Sequence, residues 1–75
     1  MRIFTATAVD NVTNMELIAS ECSYNHACSY LEQHGIVPVE IKTNRILNQT
    51  MIIGEKDGKR RIFTYDENRG VLLAA

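Results

Sequence analysis

A chain of 75 residues is enough for one small domain, expected to run over residues 1–75, and at this size folding buries only about 60% of the surface that the unfolded chain exposes. Eight basic and nine acidic side chains give a net charge of −1, which excludes both the broad positive field of a dedicated nucleic-acid binder and the large negative charge of a nucleic-acid mimic. No apolar run approaches the roughly 20 residues of a membrane span, the N-terminus lacks an unbroken signal core, and two cysteines poorly placed to bridge suit a reducing compartment; a cytoplasmic protein with no membrane contact is expected.

In chain order, Arg2 to Val9 reads as a first strand, with Phe4, Ala6 and Ala8 on one face and Ile3, Thr5, Thr7 and Val9 on the other. The turn formers Asp10 to Asn14 then reverse the chain into a second strand, Met15 to Glu21. Next comes the segment that declares its structure most clearly. Ser23 is a good N-cap, Cys22 before it can staple onto Ala27, and Gly35 stands where a helix closes in a left-handed residue. Tyr24, Ala27, Cys28 and Leu31 follow the spacing of a buried stripe, with Asn25, Ser29, Glu32 and Gln33 opposite.

After Gly35 the period changes to two. Ile36 to Lys42 reads as a third strand, with Val37, Val39 and Ile41 on one face and Pro38, Glu40 and Lys42 on the other. From about Ile46 a meander follows, whose first turn contains Asp57-Gly58, a pair suited to a two-residue type I′ loop. That loop pairs Lys56 with Lys59, Glu55 with Arg60, Ile53 with Ile62, Ile52 with Phe63 and Thr50 with Tyr65. Asp66 to Gly70 then turns the chain into Val71-Leu72-Leu73-Ala74, an apolar run without alternation that calls for cover on both sides. The fold class expected is α+β, one helix packed on a mostly antiparallel sheet in the order β-β-α-β-β-β(-β).

The order Ser23, Ala27, Leu31, Gly35-Ile36, Pro38 resembles the small repeated cytoplasmic domain of the membrane platform proteins of type II secretion and type IV pilus assembly. The resemblance covers about a quarter of the chain and implies a helix flanked by strands. This sequence lacks the glycine that those domains usually carry in the first hairpin, and no site or activity is transferred from them.

Candidate chemistry is sparse, and the expectation is a non-enzyme without cofactor or metal. Cys22, His26, Cys28 and His34 fall within thirteen residues, but at 100° per residue His26 and Cys28 point about 160° apart on a helix and cannot share one ion. Cys28 belongs to the buried stripe, where a thiol is inert, and Cys22 near the helix start is the more reactive of the two by position. The segment Gly54 to Arg60 lacks the spacing and the hydroxyl of a phosphate-binding loop. Lys56, Lys59, Arg60 and Arg61 form the one basic cluster, with Phe63 and Tyr65 on the following strand to stack on bases; they define the alternative function, a nucleic-acid-binding module using the 56–61 hairpin.

The leading expectation rests on coverage. One helix about 10 Å across shields two or three strands spaced by about 4.8 Å, so a five- or six-stranded sheet has a second face to cover. Ile3, Val9, Ile18, the last strand and one side of the meander would then meet either a curled part of the sheet, which closes the second face by itself, or another chain. Covering even 400 Å² of apolar surface contributes on the order of 10 kcal/mol before association costs. The function expected is a small protein-binding module, a regulator, adaptor or inhibitor of a larger protein, self-associating into a homo-oligomer, most simply a homodimer. Ile52, Phe63, Tyr65 and Leu72 are its candidate interface residues.

Overall fold

The computed structural model describes residues 1–4 and 7–75. It contains strand β1 (Arg2–Ile3), strand β2 (Glu16–Ser20), helix α1 (Tyr24–Gln33), and strands β3 (Val37–Asn44), β4 (Gln49–Lys56), β5 (Lys59–Asp66) and β6 (Val71–Ala74). The six strands form one sheet in the order β1-β2-β6-β5-β4-β3, and every neighbouring pair is antiparallel. This is the expected α+β class. The chain's last strand lies inside the sheet, and β2 and β3, joined by the helix, run parallel with three strands between them.

Local chemistry explains the helix. The Ser23 hydroxyl accepts from the His26 N–H at 3.2 Å, supplying one of the donors that a helix start leaves unpaired. At the other end Gly35 has φ +72, its N–H donates to Glu32 at 3.0 Å, and the Ile36 N–H reaches back to Leu31 at 2.9 Å. These two bonds close the helix in a Schellman motif, whose left-handed residue glycine adopts most readily. Ala27 and Leu31 are buried, and Tyr24, Cys28 and Tyr30 flank them.

Beneath α1 lies one core: Ile18 and Ala19 of β2, Leu72 and Ala74 of β6, Phe63 and Tyr65 of β5, and Ile52 of β4. The helix side thus draws on four strands where two or three are expected. A bulge in β2 is the reason: the pairing slips between Leu17 and Ala19, so that Ile18 and Ala19 both enter the core where strict alternation would turn one of them away. The expectation that Ile18 lies on an open face is therefore corrected.

The β4–β5 hairpin has the register that its loop dictates, with Lys56 opposite Lys59, Ile52 opposite Phe63 and Thr50 opposite Tyr65. Asp57 and Gly58 both have positive φ, 54 and 76, as a type I′ turn requires. In β3 the pairing slips between Pro38 and Glu40. This bulge overturns the simple alternation: Ile41 faces the helix side with its partner Ile52, while Val37, opposite Glu55, lies on the other side. The first strand is also shorter than expected, two residues with an isolated bridge from Val9 to Glu16, and the expected placing of Thr5 and Ala6 lies outside the described residues.

The helix-free face is not open across its centre, contrary to the coverage expectation. Leu73 is 1% exposed and Val71 7%. Arg69, in the turn before β6, forms a two-pronged ion pair with Asp10, 59 residues away. Asp10 hydrogen-bonds Met15, which the β2–β6 register sets beside Ala75, about 16 Å along β6 from the Arg69 turn at ordinary strand rise. An extended arginine reaches about 7 Å, so the Asp10 turn has to lean back along β6 to meet it. Arg69 also feels the charge of Asp66, which shares the helix-free side with Val71. The pair ties the turn before β6 to the Asp10 turn.

Candidate protein-docking edge

The largest apolar exposure collects at the β3 edge. None of the eight residues of β3 is buried, and the strand pairs with β4 on one side only among the described residues. Val37, Val39 and Ile41 stand out along it, and the turn that follows shows Leu47 and, at 93% exposure, Ile46. Asn44 builds that turn, its side-chain oxygen accepting from the Ile46 and Leu47 N–H groups at 3.1 and 3.2 Å. The apolar tip is held out on an ordered loop.

Helix α1 stops short of β3. Between them runs a groove of about 380 Å³ lined by Cys28, Leu31, Glu32, Ile36, Pro38 and Ile41. On the other side of the strand Glu40 and Lys42 lie 3.5 Å apart. An extended partner laid along β3 would meet unpaired backbone, an apolar groove on one side and a pair of opposite charges on the other, the recognition elements of strand addition.

The four side chains expected at an interface sit elsewhere. Ile52, Phe63, Tyr65 and Leu72 all belong to the core under α1, so in the folded chain their partner is its own helix. Tyr65 donates its hydroxyl to the Cys22 carbonyl at 2.7 Å and meets the Tyr24 ring edge-on at 5.8 Å; burial raises its pKa and keeps the phenol a donor. The exposed apolar residues that sequence reasoning missed, Ile46 and Leu47, carried a signal: two large apolar side chains inside a turn between strands.

Comparison with known proteins adds no relative. No protein-family model, curated protein or solved structure matches this chain. What 23–38 shares with the platform-protein domains is thus the helix-cap-strand order now seen in α1 and β3.

The basic cluster is divided by the fold. Arg60 pairs with Glu55 at 3.1 Å, and Arg61 pairs with Glu16 and lies 5.7 Å over the Phe63 ring. Lys56 and Lys59 keep no ion pair among the described residues. Phe63 and Tyr65 are buried and present no stacking surface to bases. Among the described residues no three His, Cys, Asp or Glu side chains come together to hold a metal, and no helix is long and apolar enough to cross a membrane. Cys22 is the more buried thiol: its Sγ donates to the Gly70 carbonyl at 3.5 Å, and burial pushes its pKa up. Cys22, expected to be the more reactive cysteine, is thus buried and hydrogen-bonded, a placement that does not favour a reactive thiol.

Proposed function

We propose that this chain is a small non-enzymatic binding module that docks through the β3 edge, onto a second copy of itself or onto an extended segment of a larger protein that it regulates, adapts or inhibits. The observation that carries the reading is the concentration of exposed apolar side chains on one unpaired strand and its turn. Two free thiols suit a reducing, cytoplasmic setting.

Charge favours a second copy. When two β3 strands pair antiparallel about an axis normal to the sheet, facing residues share a side of the sheet, so the pair is centred on a single residue. Centring on Ile41 sets Glu40 against Lys42 of the partner subunit, twice, and brings the Ile41 side chains together beside their grooves. Centring on Glu40 or on Lys42 opposes like charges, which destabilises a sheet.

Sedimentation over a dilution series tests this. The wild-type chain is expected to dimerise; Lys42→Glu, which opposes two carboxylates twice, weakens the dimer about 10-fold, and the exchange Glu40→Lys with Lys42→Glu restores it. A chain that stays monomeric at millimolar concentration, or a wild type and two variants with equal association constants, removes the self-association reading.

A further inference from the structure

On the other flank of α1 from the β3 groove the sheet carries a second concavity, and its chemistry is different. It is a basin of about 540 Å³, within the size range of small-molecule sites. Ile18 and Phe63, both buried, form its floor with Ile36. Lys56 and Lys59 stand on its rim beside Arg61, whose charge Glu16 meets. Glu16 is also the one carboxylate among the described residues that line the basin, so the charge left over is that of two ammonium groups.

The position of Lys56 is supported by its surroundings. Its Cε lies 3.8 Å from where a Cβ on Gly35 would sit, so the stem runs beside the closing turn of α1, whose carbonyl end favours a cation. Gly54 sets the depth: a Cβ there would collide with Ile36 Cγ2 and meet Phe63 at 3.3 Å. An apolar floor with unmatched positive charge at one rim selects a molecule with an apolar body and an anionic end.

We propose that this basin binds a small anionic amphiphile, an apolar body of roughly a dozen non-hydrogen atoms ending in a carboxylate, with the carboxylate between Lys56 and Lys59 and the apolar body over Ile18 and Phe63. The site shares Ile36 with the groove beside β3 but neither that strand nor its charges.

Decanoate, decanol and decyltrimethylammonium, each below its aggregation limit, serve as probes, with amide chemical shifts as readout. Decanoate is expected to give saturable shifts at Gly54, Arg61 and Phe63 and to bind at least 10-fold more tightly than either of the others. Lys56→Gln with Lys59→Gln, two exposed substitutions that leave the fold intact, should weaken decanoate about 10-fold and leave decanol unchanged. Equal binding of decanoate and decanol, an unaltered decanoate affinity in the double variant, or shifts confined to β3 would each overturn the assignment.

Discussion

At the scale of single residues, three positions carry measurable weight. Tyr65→Phe removes a buried hydrogen bond and leaves the Cys22 carbonyl unpaired, so urea unfolding should show a loss of about 1–2 kcal/mol with an unchanged m-value. Gly54→Ala drives a methyl into Ile36 and Phe63, and a loss of about 1–3 kcal/mol is expected in the same measurement. Asp10 responds to pH. The Arg69 guanidinium, helped by Thr13, holds its carboxyl well below the ordinary value of 3.8. A depressed native pKa means that the stabilisation is complete above that ordinary value and fades as pH falls toward the native one. Wild type and Arg69→Gln should therefore differ in thermal midpoint at neutral pH and converge below about pH 4. Little of this was legible in advance. Composition marks Tyr65 as large and apolar, but whether it faces a helix or a partner depends on which side of the sheet the helix chooses. The Asp10–Arg69 pair joins residues 59 apart, and no local pattern announces it.

At the scale of elements, sequence grammar and structure agree wherever the decision is local. The Ser23 cap, the Gly35 closure and the Asp57-Gly58 turn each act within a few residues, and a two-residue loop leaves no slack in the strands it joins; the whole β4–β5 register follows. Ser23→Ala should cost about 1 kcal/mol in urea unfolding, the usual value of a cap hydroxyl. The bulges of β2 and β3 were not legible, because an extra residue on one strand leaves no mark until its partner is known. In β3 that slip places Ile41 on the groove side, opposite Ile52. Ile46→Asp tests the edge without touching the core: at 93% exposure the substitution should change stability by less than about 0.5 kcal/mol while weakening association measured by sedimentation.

At the scale of the whole molecule, the strand order explains both what is buried and what is left outside. The last strand is apolar throughout, and that much foretells a place with cover on both sides; β6 is buried at all four positions. Its neighbours could not be foretold, since β2 and β5 reach it from opposite halves of the chain. On the helix-free side Val71 and Leu73 are buried, and the Asp10–Arg69 pair ties the turn before β6 to the first part of the chain; half of the exposed large apolar side chains among the described residues lie on β3 and the turn after it. Because β6 stands between β2 and β5, no strand pairing among the described residues joins the β1–β2 arm to the β3–β5 meander without it; side-chain contacts such as Arg61 with Glu16 are all that bridge them before. During synthesis the backbone pairing that makes one sheet of the two halves waits until residues 71–74 clear the ribosome.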